Sequence, residues 1–199
     1  GISSMLVREE PVPKERAMPD LTILTICGSL RAQSFNRAVA NALPELAPEG
    51  ITFVAAPPFA DLPLYDGDLQ QQSGVPAGAQ ALGDAVRAAD GVVIVSPEYN
   101  YSVPGGLKNA IDWVSRLEDQ PFKGKPVALQ SAAPGMLGGS RMQYHLRQVM
   151  VFIDARVLNK PEVFVNQAGQ KIDNGVLTDE TTRGVIASQL SAFAGFIAG

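Results

Sequence analysis

Short apolar runs alternate with amphipathic segments along most of this chain, and that alternation constrains the fold more than any other feature of the sequence. The first run, residues 21–27, is rich in β-branched residues and almost continuously apolar, which is typical of a strand covered on both faces. The next segment, 36–46, instead spaces Val39, Leu43 and Leu46 as one apolar stripe of a helix. The pattern therefore favours buried strands connected by helices that pack on a sheet.

The same reasoning predicts the remaining elements. Further strands are expected at 51–55, 91–96 and 125–131, with a fifth at Val157 and 162–165. Helices are expected at 75–89, from Pro104 through Leu117, at 140–155 and after Thr178, which is the predicted N-cap of the last helix. A long loop is expected at 57–63 and 66–74. Five such strands imply an α/β fold, a five-stranded parallel sheet in a three-layer α/β/α sandwich. Right-handed crossovers favour the doubly wound order 2-1-3-4-5, the flavodoxin-like arrangement.

Length and charge restrict the class of protein further. The 199 residues fit one domain, predicted to span 18–199. Residues 1–17 mix charge and proline without a period, which favours a disordered arm or an expression remnant, with Met18 as the candidate natural start. The net charge of −4 and the scattered Lys and Arg residues argue against nucleic acid. Without a secretory signal or an apolar run near ~18 residues, a cytoplasmic protein without membrane association is expected.

Cys27 and His145 are the only residues of their types. An internal disulfide and a cysteine-rich metal site are therefore excluded, and a zinc site with several histidines or a Ser-His-Asp triad is disfavoured. A phosphatase loop would need Arg six residues after Cys27, where Gln33 stands, so Cys27 is interpreted as a packing residue. No metal site is predicted.

The segment after the first strand has the composition of an anion site. Gly28 precedes Ser29, Arg31, Ser34 and Asn36 just before a helix begins, where free backbone amides, hydroxyls and one guanidinium attract phosphate. A simple turn with Ser34 as helix cap and a solvated Arg31 explains these residues equally well. Neither the dinucleotide pattern Gly-x-Gly-x-x-Gly nor an NTPase phosphate loop is present.

Two further motifs follow in order, Ser-Pro-Glu-Tyr-Asn-Tyr-Ser at 96–102 and Pro-Gly-Gly-Leu-Lys-Asn-Ala-Ile-Asp-Trp at 104–113. Together with the 28–36 loop, the chain from about Leu21 onward resembles the NADPH-dependent FMN reductase family, which includes bacterial chromate and quinone reductases. The resemblance implies that non-covalent FMN is held at its phosphate by Ser29, Arg31, Ser34 and Asn36. It also implies that the flavin ring is lined by Pro97, Glu98, Tyr99, Asn100 and Tyr101.

The resemblance extends to a third loop, of which Ser131 and Gly135 are the predicted site residues. Ala132 and Ala133 replace hydroxyl residues common in relatives, so only backbone contacts are expected from those two positions. Related reductases are dimers or tetramers, and a homodimer or homotetramer is expected here. The helix face of Arg141, Tyr144, His145 and Gln148 is either a solvated surface or, as we favour, a subunit contact; a proton donor at His145 is the least supported alternative.

By this resemblance the chain is expected to be an oxidoreductase. Hydride passes from NADPH or NADH to FMN, and electrons then pass to a small-molecule acceptor such as a quinone, an azo compound, free flavin or chromate, in a ping-pong scheme. The flavin carries the chemistry, so no catalytic side chain is predicted. The alternative is a flavodoxin-like electron carrier or flavin-binding regulatory module without NAD(P)H turnover. Arg31 and the lack of a strongly acidic surface favour the reductase.

Overall fold

The computed structural model describes residues 20–199; the predictions for residues 1–17 and for Met18 lie outside this range. Its elements are β1 (Leu21–Cys27), α1 (Phe35–Leu46), β2 (Ile51–Ala55), α2 (Gly67–Ser73), α3 (Ala77–Ala88), β3 (Gly91–Val95), α4 (Gly105–Val114), β4 (Pro126–Ala132), α5 (Ser140–Phe152), β5 (Arg156–Val157), β6 (Val163–Val165), a 3-10 turn (Ala168–Gln170), β7 (Ile172–Asp173), β8 (Val176–Leu177) and α6 (Glu180–Ala198).

The main sheet is parallel in the order β2-β1-β3-β4-β5, and β6 also pairs with β4. The predicted order is thereby confirmed. Cys27 pairs with Val95, and Val95 pairs with Gln130, so the three central strands end side by side. Since the carboxyl ends of parallel strands share one edge of the sheet, the loops that follow β1, β3 and β4 come together there.

Helices cover both faces of the sheet, as predicted. Alternate residues of β1 face opposite sides: Leu24 packs in the core under α3, α4 and α5, whereas Ile23 packs in the core under α1 and α6. All five residues of β3 are buried, as expected for a central strand with a helical layer on each side. This three-layer arrangement fixes the edge of the sheet at which the loops meet.

The fifth strand is divided, and the division differs from the single strand predicted. β5 pairs with β4 at Val157, β6 resumes the pairing at Val163, and the chain between them leaves the sheet. The buried Gln189 side chain of α6 fills this gap by donating to the carbonyls of Leu129 (3.1 Å) and Pro161 (2.9 Å). A glutamine amide thus replaces a ladder hydrogen bond that the interrupted strand cannot make.

Two local predictions were wrong. Part of the predicted loop at 66–74 is the short helix α2, because Asp66 caps it by accepting from the Asp68 amide (2.8 Å). Thr178 does not cap α6: its amide and hydroxyl bond the Lys171 carbonyl at the end of a β7–β8 hairpin that was not predicted. The cap is Asp179, whose carboxylate accepts from the Thr182 amide at 2.9 Å.

Candidate functional site

The three loops at the carboxyl edge of the sheet enclose an open cleft of about 280 Å³. Its lining includes seven of the predicted site residues, Ser29, Arg31, Ser34, Asn36, Pro97, Glu98 and Tyr99, together with Phe35, Ala132, Ala133 and Pro134. The structure therefore brings the first two predicted loops to one surface. Asn100, Tyr101, Ser131 and Gly135 lie outside this lining.

Gly28 is required where the first loop leaves β1. Its amide donates to the Val95 carbonyl (2.8 Å), which continues the β1–β3 pairing beyond the strand end. A Cβ atom at this position would lie 2.3 Å from the Ser96 hydroxyl oxygen. Only glycine lets the starts of the first and second loops approach this closely.

The first loop, residues 28–36, leaves several hydrogen-bond donors unused. The Ser34 hydroxyl caps α1 by accepting from the Arg37 amide (3.0 Å), and the buried Ser29 hydroxyl accepts from the Arg31 amide (3.3 Å). Within residues 20–199 the Phe35 and Asn36 amides have no partner, and the exposed Arg31 guanidinium makes no ion pair. Free helix-start amides beside a guanidinium suit a phosphate.

Asn36 is buried and uses its whole side chain inside the protein. Its Oδ1 accepts from the Ala132 amide (2.9 Å) and its Nδ2 donates to the Ala132 carbonyl (3.0 Å). These two bonds tie the start of α1 to the start of the third loop. A phosphate in the first loop would therefore meet the free Asn36 backbone amide rather than its carboxamide.

The second loop, residues 96–102, contains a strained two-residue turn. Tyr99 and Ser102 exchange two backbone hydrogen bonds of 3.0 Å, and the residues between them, Asn100 and Tyr101, have φ of 48° and 73°. Such a turn matches the twist of a hairpin, but left-handed backbone is costly for a residue such as tyrosine, on the order of 1–3 kcal/mol. Other contacts must hold this turn in place.

Helix α5 supplies those contacts. The Glu98 carboxylate pairs with the Arg141 guanidinium and accepts from the Met142 amide at 3.2 Å. The Arg141 guanidinium lies 4.2 Å from the centre of the Tyr101 ring, and His145 Nδ1 lies 2.9 Å from the Ser102 hydroxyl. Arg141 and His145 therefore contact the second loop of the same chain.

The other half of the same helix face is turned outward. Tyr144 and Gln148 are exposed, and the Tyr144 hydroxyl donates to a Glu162 carboxylate oxygen at 2.6 Å. This hydrogen bond raises the pKa of Tyr144 and lowers the pKa of Glu162. The face predicted to be either solvated or a subunit contact thus divides into an inner part that holds the second loop and an outer part that remains accessible.

The third loop faces the cleft with Ala132, Ala133 and Pro134 rather than with a hydroxyl. Ser131 is fully buried; its hydroxyl donates to the Gly138 carbonyl (2.6 Å) and accepts from the Gln143 side chain (2.7 Å). Gly135 is exposed beyond the cleft, and its carbonyl accepts from the Gln167 amide (3.0 Å). Ser131 therefore supports the third loop from inside the protein and does not line the cleft.

The third sequence motif stabilises a neighbouring loop instead of lining the cleft. Asn109 and Trp113 of α4 both donate to the Pro63 carbonyl, at 2.9 and 2.7 Å, and Asn109 Oδ1 accepts from the Tyr65 amide at 2.8 Å. These bonds fasten the proline-rich segment after β2 to α4. The motif at 104–113 therefore serves the loop beside the cleft rather than the cleft itself.

Sequence reasoning missed Phe35, Ala132, Ala133 and Pro134 as lining residues. Phe35 follows the capping Ser34 directly. An aromatic residue at a helix start, beside a loop predicted to bind an anion, was the signal that could have identified it as a lining residue. For Ala132 and Ala133 the sequence predicts only backbone contacts, because their side chains lack a hydroxyl. Small residues leave room for a ligand, and that was the signal in their case.

A doubly wound parallel sheet, with free amide and guanidinium donors in its first loop and a cleft at the switch point, is typical of flavodoxin-like proteins that bind a phosphorylated ligand. The chain belongs to the NADPH-dependent FMN reductase family, whose sequence model matches residues 21–170. This membership confirms the resemblance, and with it an oxidoreductase that depends on FMN and NAD(P)H.

Individual relatives agree. The chain is 54% identical over 179 residues to a quinone reductase of Escherichia coli, covering 89% of this chain and 95% of that protein. It is 44% identical over 174 residues to an NAD(P)H-dependent FMN reductase of Pseudomonas aeruginosa, covering 87% and 93%. The structure of FerB, a flavoenzyme NAD(P)H:(acceptor) oxidoreductase of Paracoccus denitrificans, superposes with a TM-score of 0.78 at 32% identity, covering 89% and 97%.

The residues of the cleft fit FMN. The first loop offers free amides and a guanidinium for a phosphate, and the buried Ser29 hydroxyl has a proton that no described acceptor takes up.

Among residues 20–199, no cluster of three or more His, Cys, Asp or Glu side chains could hold a metal ion. In the same range, none of the helices has the length and hydrophobicity needed to cross a membrane.

Proposed function

We propose that the cleft binds FMN with its phosphate in the first loop and its ring along the second, and that the enzyme passes electrons from NAD(P)H to a quinone by a ping-pong mechanism. The single observation that carries this proposal is that two different loops line one cleft. The first has free hydrogen-bond donors that can bind an anion, and the second is rigidly held. FMN supplies the hydride and electron transfer chemistry when bound. The protein supplies binding and orientation.

Each predicted site residue has a distinct task in this proposal. Arg31 and the hydroxyls of Ser29 and Ser34 bind the phosphate, and Asn36 contributes its backbone amide while its side chain positions the third loop. The segment from Pro97 to Tyr101 presents backbone groups to the edge of the flavin ring. Ser131 and Gly135 shape the third loop on the opposite side.

Exposed apolar side chains on the three loops support a quinone rather than an anion as the acceptor. Leu30 is 58% exposed, Tyr99 is 50% exposed and Met136 is 69% exposed, so each of the three loops carries a large exposed apolar side chain, and Tyr99 lines the cleft itself. A planar, weakly polar acceptor gains from these surfaces. Azo compounds and free flavin share that chemistry, whereas chromate would compete with the phosphate for Arg31.

Anaerobic stopped-flow mixing tests the proposal. NADPH or NADH should bleach the flavin absorbance of the purified protein, and a quinone added afterwards should restore it. Steady-state rates at several fixed quinone concentrations should give parallel double-reciprocal lines. An unbleached spectrum would rule out the reductase in favour of an electron carrier, and intersecting lines would rule out the ping-pong order.

The enzyme is further proposed to work in the cytoplasm as a homodimer or homotetramer. Val151 and Phe152, at the end of α5, are 77% and 92% exposed, which is unusual for large apolar side chains unless another surface covers them. Light scattering during size-exclusion chromatography measures the mass directly. A monomer at micromolar concentration would contradict the assembly.

A further inference from the structure

Within residues 20–199, Glu98 is the one acidic side chain that lines the cleft. Its side chain is 8% exposed, so water solvates the carboxylate poorly. A carboxylate in such a place is costly unless a cation or hydrogen-bond donors compensate for the lost water. The partners of Glu98 therefore determine how much negative charge the cleft carries.

Both partners come from the first turn of α5. The Met142 amide donates to the carboxylate at 3.2 Å, and the positive end of the helix dipole lies on the same side. The second partner, the Arg141 guanidinium, pairs with the Glu98 carboxylate and takes no part in lining the cleft. Arg141 can therefore influence a ligand in the cleft through its charge and through Glu98 and the second loop, but not by direct contact.

Arg141 is itself fixed on two sides. One side pairs with Glu98, and the other stacks 4.2 Å from the centre of the Tyr101 ring. Its Nε is buried and has no hydrogen-bond partner in the described part of the chain. An arginine that gives up a hydrogen bond to remain between a carboxylate and an aromatic ring is held there by those two contacts.

We propose that Arg141 is a positioning residue that sets the reduction potential of bound FMN by neutralising Glu98. The inference rests on the proposed function, which puts the flavin ring along residues 97–101. Reduction by hydride adds negative charge to the ring system, and an uncompensated carboxylate beside it would disfavour the reduced form. With Arg141 in place the pair is neutral, and FMN is easier to reduce.

Four proteins test this inference: the wild type, Arg141→Met, Glu98→Gln and the double variant. The potential of bound FMN is measured by equilibration with a redox dye and a chemical reductant, so the result does not depend on NAD(P)H turnover. Arg141→Met should weaken binding of reduced relative to oxidised FMN about tenfold, the effect of one charge at roughly 10 Å. For a two-electron couple, this lowers the potential by about 30 mV.

The direction in which Glu98→Gln shifts the reduction potential separates an effect of charge from an effect of altered structure. Glu98→Gln leaves Arg141 uncompensated and should raise the potential, and the double variant should return it close to the wild-type value. Shifts in the same direction for both single variants, or none in either while FMN remains bound, would overturn the inference. The proposed function would instead fail if NAD(P)H did not reduce the wild-type flavin.

Arg147→Met is the matched control. It removes the same charge from the same helix, but Arg147 bonds the Leu158 carbonyl and the Asn159 side chain away from the cleft. The potential of FMN bound to this variant should equal that of the wild type. A shift as large as that of Arg141→Met would overturn the inference. If Arg141→Met fails to fold, Arg141→Lys should keep the wild-type potential, and Glu98→Gln alone still tests the sign.

Discussion

The first and second loops line the same cleft, but they are held in opposite ways. The first loop has few side-chain contacts with the rest of the protein, and Arg31 and two helix-start amides remain free within the described residues. The second loop has its Glu98, Tyr101 and Ser102 side chains occupied by Arg141, Met142 and His145. The first loop is suited to bind through unused donors, and the second to present a backbone of fixed shape.

This difference can be measured with FMN and riboflavin, which lacks the phosphate. Arg31→Ala should weaken FMN binding by about 1.5–3 kcal/mol, because a charge-assisted contact to phosphate is lost. Riboflavin affinity should stay unchanged. Fluorescence titration gives both constants, with Lys123→Ala as a control for charge, since Lys123 is exposed and precedes β4, whereas the third loop follows that strand. Equal losses for both ligands would contradict the assignment.

Asn36→Ala should separate positioning from binding. It removes both bonds to Ala132, so the free energy of unfolding of the FMN-free protein should fall by about 1–3 kcal/mol. Urea denaturation measures this loss. Affinity should fall for riboflavin as well as for FMN, because the third loop loses its anchor. A stable protein that has lost FMN affinity alone would mean that the carboxamide binds the phosphate directly.

Ser34 combines a cap with a predicted phosphate contact, and two substitutions separate these roles. Ser34→Ala should destabilise the protein by about 0.5–2 kcal/mol through loss of the cap and should also weaken FMN binding. Ser34→Asp preserves the cap but adds a negative charge, so stability should be maintained while FMN affinity falls further. The substitution would refute the phosphate contact if the Asp variant bound FMN as tightly as the wild type.

Ser102→Ala tests the second loop in the same way. Loss of the contact with His145 should cost about 0.5–1.5 kcal/mol of stability, a modest effect because Glu98 and Tyr101 remain held. FMN and riboflavin affinities should change by the same factor. A change confined to FMN would show that the second loop also contacts the phosphate.

The smallest effect is expected at a cap outside the cleft, which serves as a comparison for Ser34. Hydrogen bonds from the Thr182 hydroxyl and amide lower the pKa of Asp179. Asp179 therefore adds stability above the unfolded-state pKa of about 3.9 and loses it as the pH falls through the lower folded pKa. Melting temperatures between pH 2 and about pH 6 should fall less steeply in Asp179→Asn. Identical pH profiles would contradict the role of the carboxylate.

The sequence was most informative where function and fold depend on local pattern. Continuous apolar runs located β1 to β4, and the order of the three motifs was enough to indicate the family. Errors arose where a residue had two competing uses. Thr178 is of a residue type that favours helix N-caps, but it closes the β7–β8 hairpin. The sequence signals this hairpin only by the Asn174-Gly175 turn.

The sequence by itself determined the alternating elements, the strand order, the family and the loops that form the cleft, because periodicity and short motifs are encoded within a few neighbouring residues. The tertiary structure alone decided how the side chains in those loops are used. Asn36 reaches Ala132 across 96 positions, and Glu98 reaches Met142 across 44. Such pairs depend on where the crossover helices return the chain to the sheet, and no local pattern records that position.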